Sequence, residues 1–126
     1  MRTRAMNVIG MRHAIASRFP VEAADADDFL AQRHHDVDAH HVWLERFSDL
    51  TTQAMAARDE PLVRAHLAFM SQQLRSADSD VRKIIDVAYV ENLMSGLKAD
   101  ARRWAWPMIP PNLKKLFIDF WGEPDV

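Results

Sequence analysis

The sparse glycines and the positions of the prolines constrain this chain more than any other feature. Only Gly10, Gly96 and Gly122, with six prolines, interrupt 126 residues. Between them, apolar residues recur at three- and four-residue spacing rather than in strict alternation. A sheet protein needs more turn glycine and more β-branched alternation than this. The expected class is therefore all-α: one domain over residues 1–126, a bundle or orthogonal array of five to seven helices. A chain of this length fits one core. It can bury roughly two-thirds of the surface that its unfolded form exposes, so it needs no covalent staple. It has none, since cysteine is absent, which excludes disulfides and thiolate metal sites and leads us to expect a reducing, cytoplasmic setting. No apolar run approaches the ~20 residues of a membrane-spanning helix, so a membrane is not among the expected partners.

The punctuation divides the chain into segments. A first helix is predicted over Arg4–Ser17, with Met6, Ile9, His13 and Ala16 on one stripe and Pro20 ending it. Its Arg-rich, acid-free composition is like that of a transit peptide, but we read it as a helix of the fold. The acidic run from Glu22 to Asp28 suits the first turn of a second helix, where carboxylates face the positive end of the macrodipole. Helical spacing then continues through Phe29, Leu30, Val37, Trp43, Leu44, Phe47, Leu50 and Met55. That is too long for one globular helix, so a break is expected near His35–Asp38. Asp59-Glu60-Pro61 opens the next helix, because proline at a first helical position has no donor to waste. This helix carries Leu62, Val63, His66, Leu67, Phe69, Met70 and Leu74. Asp78 or Ser79 caps a helix with Val81, Ile84, Ile85, Ala88, Tyr89 and Leu93, the most apolar element and so the expected centre. Leu97–Arg103 forms a short helical stretch. Asn112–Trp121, led in by Pro110-Pro111 and closed by Gly122, is the last helix.

Charge is uneven beneath a net of −2. Residues 1–18 carry four arginines and no acid, whereas residues 19–60 carry ten acids against three arginines, a net of −7. The overall balance does not suggest nucleic acid. Asp25, Asp27, Asp28, Asp36, Asp38, Glu45 and Asp49 instead form a candidate recognition surface for a basic protein, since opposite charge steers encounter. The competing reading is an ordinary solvated helix face.

The segment HHDVDAHH, residues 34–41, invites a metal. On one continuous helix His34, Asp38, His41 and Glu45 would share a face, presenting two imidazoles and two carboxylates to one ion. Bundles that hold catalytic metals draw ligands from several helices, however, and here all four come from one. The expectation is therefore no metal and no cofactor, with a metal-binding bundle or metal-dependent hydrolase on these four residues as the alternative. His40 falls on the apolar stripe and is expected to be a core or boundary histidine, hydrogen-bonded to a neighbour. His35-Asp36 resembles the HD pair of metal phosphohydrolases, but the separate His and Asp that those enzymes require are not recognisable. Phosphate loops, nucleophile elbows, H-E-x-x-H and cysteine nucleophiles are missing. Glu91, in an apolar run, is expected to need Arg102 or Arg103 if buried. Phe117 and Phe120 are assigned to the core. Trp104, Trp106 and Trp121 fit either a core or an interface, and the latter would make the chain a homodimer or other homo-oligomer.

The tail, VAYVENL (87–93), WAWPMIPP (104–111) and NLKKLFIDFWG (112–122), resembles small all-helical bacterial proteins of unassigned function, some of which are similar to immunity proteins encoded beside polymorphic toxins. The resemblance covers the C-terminal third and implies a stoichiometric inhibitor that occupies a toxin's active site or blocks its substrate surface. It carries no contact residues with it, and the histidine-rich segment lies outside it. The function expected from all of this is non-enzymatic: neutralisation of a toxin with a basic surface through the acidic helix face.

Overall fold

The computed structural model describes residues 7–126, which form seven α-helices and, within those residues, no strand. In chain order these are α1 (Val8–Arg18), α2 (Pro20–Gln32), α3 (His40–Ala56), α4 (Glu60–Arg75), α5 (Ser79–Ile84), α6 (Ala99–Ala105) and α7 (Pro111–Trp121). A π-helical segment, Ile85–Val90, continues α5, and a 3-10 turn, Trp106–Met108, continues α6. The all-α expectation and the number of helices hold. The expected start of the first helix at Arg4, and Met6 within it, lie outside the described residues.

The caps explain most boundaries. Asn7, Asp59 and Asp78 each accept a backbone N–H from three residues on, at 2.7, 3.3 and 2.8 Å, satisfying donors that a helix start leaves orphaned. Pro20, Pro61 and Pro111 stand in first turns. Two helix ends are less conventional. α2 closes with His34 at φ 60° and α3 with Arg58 at φ 57°, in the left-handed region that glycine occupies most easily. At both, the next amide reaches back five residues, His35 N to Leu30 O and Asp59 N to Ala54 O, while the left-handed residue bonds Ala31 O or Met55 O. This is the Schellman closure, here made without glycine.

α3 is the hub. It packs against α1, α2, α4, α6 and the π segment. Trp43, Leu44, Phe47 and Met55 of α3 are sealed from solvent, as are Met11 and Ile15 of α1, Val63, Leu67 and Met70 of α4, Ile85, Tyr89 and Val90 of the π segment, and Leu113 of α7. The segment expected at the centre is thus central, but it shares that place with α3. Its C-terminal half widens: Glu91 N bonds Asp86 O, a five-residue step, at 3.1 Å, and Asn92 Nδ2 donates to Ala88 O at 2.8 Å. Residues 91–96 then turn instead of extending the helix.

Several stripe assignments are corrected. Ile9 is 55% exposed and His13 also faces solvent, because Met11 and Ile15 are the residues of α1 that turn inward. Val37 is 76% exposed because it stands in a loop and not on the apolar face of a helix. Phe120 is 54% exposed, pairing edge-on with the exposed Trp121 at 4.8 Å, while Phe117 is buried as expected. Trp104 and Trp106 are half-buried. Glu91 is half-buried and, among the described residues, makes no ion pair with Arg102 or Arg103. Arg102 instead donates to Leu97 O, and the Glu91 carbonyl accepts from the Trp121 indole at 3.0 Å. Burial, and then Asp86 nearby, push the Glu91 carboxyl above the usual range.

Candidate functional site

The helical break at Arg33–Ala39 decides the fate of the histidine-rich segment. His34 closes α2, Asp38 stands in the loop, and only His41 and Glu45 share a helix. These last two pair one turn apart at 3.1 Å on the surface. The continuous helix that would align all four does not exist. Among the described residues no three His, Asp or Glu side chains are gathered to hold an ion. Sequence spacing gave the right neighbours for 41 and 45 and failed for 34 and 38, because it assumed an unbroken helix.

The loop is not loose. Arg12 of α1 reaches it, donating through Nη1 to Val37 O at 2.6 Å and lying 2.8 Å from His40 Nδ1. An arginine has only donors, so His40 must accept there through a neutral ring nitrogen. Burial first, then the Arg12 charge, hold His40 below the ordinary imidazole value, against an opposing pull from Asp38. The guanidinium also covers the Trp43 ring at 4.8 Å and meets Asp27 at 3.4 Å, and Trp43 Nε1 donates to the same Asp27 oxygen at 2.9 Å. A cleft of about 320 Å³ opens here, with Ile9 and Val37 among its walls and Asp27, Asp38 and His40 beside them. His40 is thus the boundary histidine its spacing predicted.

The seven acids of the candidate surface divide into two groups. Asp25 receives Arg46 through two bonds, Nε at 2.7 Å and Nη2 at 3.3 Å, which raises the arginine still further above its ordinary value. Asp27 is held by Arg12 and Trp43, and Glu45 faces His41. Asp49 is half-buried, and burial pushes its carboxyl up against the pull of Arg46. Asp25 and Asp27 thus knit α1, α2 and α3 together, while Glu45 and Asp49 are engaged within α3. Asp28, Asp36 and Asp38 are exposed, and none makes an ion pair among the described residues. Asp28 lies in the last turns of α2, and Asp36 and Asp38 stand in the loop that follows it.

Sequence reasoning missed a second constellation, inside the molecule. Glu22 of α2 lies 2.7 Å from Nε2 of His66 on α4, and His66 Nδ1 lies 2.9 Å from the Thr51 hydroxyl of α3. Thr51 Oγ1 is in turn 2.9 Å from the Tyr89 hydroxyl of the π segment. His66, Thr51 and Tyr89 are wholly buried, while Glu22 keeps a 14% exposed edge. Phe19 and Phe47 close over the imidazole with ring centres 4.7 Å away. Burial holds the His66 ring below its ordinary value despite the Glu22 bond, and burial pushes the Tyr89 phenol far up, so it remains a donor. Acid, imidazole and hydroxyl are ordered as in a nucleophilic triad, yet Thr51 Oγ1 is sealed beneath aromatic rings. Two more hydroxyls extend the seam: Ser48 donates to Tyr89 O at 2.7 Å, and Thr52 accepts from Met94 N at 3.0 Å. The available signal was the triple Ser48, Thr51, Thr52 on the otherwise apolar inner face of α3.

The fold defines an all-α domain that holds one sealed chain of polar side chains and one charged corner. The chain belongs to the DUF7674 family, a domain of unknown function, whose pattern spans residues 12–122. No curated protein and no solved structure matches it. The membership agrees with the likeness to small helical proteins of unassigned function and extends it from the tail to most of the chain. No helix among the described residues is long and apolar enough to cross a membrane.

Proposed function

We propose that this protein is a non-enzymatic binding module that engages a basic protein surface through the α2–α3 corner, in the manner of an immunity protein that neutralises a toxin by stoichiometric binding. The observation that carries the reading is Val37, at 76% exposure, flanked in the loop by Asp36 and Asp38, which, like Asp28 in the last turns of α2, are exposed and without ion pairs among the described residues. A large apolar side chain flanked by carboxylates has the composition of an interface anchor within a charged rim. Arg12 braces the corner through the Val37 carbonyl, so less ordering entropy is lost on binding than a mobile loop would lose. Asp25 and Asp27 serve mainly to hold the corner, Glu45 faces His41 and Asp49 is half-buried, which narrows the contact surface from seven acids to three.

Co-expression with the product of the adjacent gene, followed by co-purification, tests the reading. The triple variant Asp28→Asn, Asp36→Asn, Asp38→Asn should associate more slowly and lose most of the salt dependence of association. Neutralisation by this variant equal to wild type removes the corner from the mechanism. A second reading, homo-oligomerisation, is favoured by one observation: Phe120 and Trp121, at 54% and 60% exposure, form an apolar pair on α7. Solution mass over a concentration series separates the two, with Trp121→Ala abolishing any dimer built on α7.

A further inference from the structure

The buried chain Glu22–His66–Thr51–Tyr89 contains more chemistry than packing requires. A carboxylate can only accept, so His66 Nε2 carries a proton toward Glu22 at 2.7 Å. In the neutral ring Nδ1 is then an acceptor and takes the Thr51 hydroxyl proton at 2.9 Å. Tyr89 donates its own proton to Thr51 Oγ1 at 2.9 Å. Each donor has one acceptor.

Addition of one proton at His66 Nδ1 reverses a single bond. Nδ1–H now donates to Thr51 Oγ1, and the threonine proton has somewhere to go, since Phe47 O lies 3.2 Å from the same oxygen. This is the bond to the preceding turn that helical threonine makes readily. Tyr89 keeps donating to the second lone pair. No hydrogen bond is lost, and the threonine hydroxyl has rotated.

We propose that these four residues form a proton-accepting relay inside the fold: rotation of the Thr51 hydroxyl lets His66 take up a proton within the folded chain, turning its contact with Glu22 into an ion pair between α2 and α4 with no hydrogen bond lost. The groups facing His66 are Glu22 from α2, Asp59 from the start of α4 and Tyr89 from the π segment, with the rings of Phe19 and Phe47. Glu22 and Asp59 favour the cation, and the aromatic enclosure disfavours it more strongly. Acid therefore charges a seam that links four elements without breaking its bonds. The relay is separate from the partner surface, although both involve α2.

Residue-resolved nitrogen NMR of the full chain between pH 8 and pH 4.5 reads the device directly. At pH 8, His66 should show the neutral form protonated on Nε2. Below 6.5 it should become imidazolium while the amide spectrum stays folded. Glu22→Gln should move the His66 titration down by about 1–3 pH units, leaving His40 where it was. Thr51→Val removes the rotating hydroxyl and should also move it down. A His66 that stays neutral until the whole chain unfolds overturns the relay. So does a Glu22→Gln titration that matches wild type.

Discussion

His66 and His41 each face a glutamate, at 2.7 and 3.1 Å, and the two pairs could hardly be less alike. His41 and Glu45 sit one turn apart on α3, with side chains 49% and 39% exposed. Water solvates both groups whether or not they meet, so their contact adds little to stability. His66 and Glu22 are 44 residues apart in the chain, and the imidazole is wholly buried. There bonds to Glu22 and Thr51 replace the lost hydration, so deleting a partner strands a polar group in an apolar medium. The comparison teaches that distance and chemistry do not rank an interaction. Solvent access does, and solvent access is a tertiary property.

His66→Ala should produce the largest contrast, because it opens a cavity under Phe19 and Phe47 and strands Glu22 and Thr51 together. A loss of about 3–5 kcal/mol in urea unfolding is expected, and a loss below 1 kcal/mol would show the relay to be dispensable. Arg12→Met tests the brace of the exposed corner. It removes a charged donor from the Val37 carbonyl and from His40, and should cost about 1–2 kcal/mol. Amides of residues 34–39 should exchange faster, with the relay undisturbed. Tyr89→Phe removes only the last hydroxyl, leaving Thr51 able to donate to His66, and a cost of about 1 kcal/mol is expected.

The pH dependence sharpens the same contrast. His66 and His40 both titrate lower folded than unfolded, each held down chiefly by burial. The unfolded chain therefore binds protons first as pH falls through the ordinary 6.5, and stability drops across the window between 6.5 and the folded values. It is fully present above 6.5. Glu22→Gln should extend the decline to lower pH, since it removes a favourable partner of the His66 cation. A melting temperature that rises on acidification from pH 7.5 to 5.5 would contradict both assignments. The smallest effect is expected from His41→Ala, which should leave the unfolding midpoint within experimental scatter of wild type.

The helices were legible because their signals are local. Asp59-Glu60-Pro61, Asp78 and Gly122 act through bonds made within one or two turns, and each stands where its type predicts. The break after α2 was legible only through length, since a glycine did not mark it. His34 in a left-handed conformation is a rare closing residue, and spacing alone carried the helix through it. The metal set His34, Asp38, His41, Glu45 came apart for this reason. The π segment was invisible, because its extra residue per turn leaves the composition unchanged. At the corner, the acids were found as a group, but their division into braced and unengaged members depends on Arg12 and Arg46 arriving from other helices.

Local bonding chemistry, written in the order of residues, determined that this protein is helical, where most of its helices start, and that its middle is acidic. Which polar groups meet in the dark was decided only when α2, α3, α4 and the π segment closed on one another. Glu22, Thr51, His66 and Tyr89 are individually unremarkable in the chain, and their coupling arises because closure excludes water from all but one edge. Dehydration of a polar group depends on every neighbour at once, so no window along the sequence can contain it.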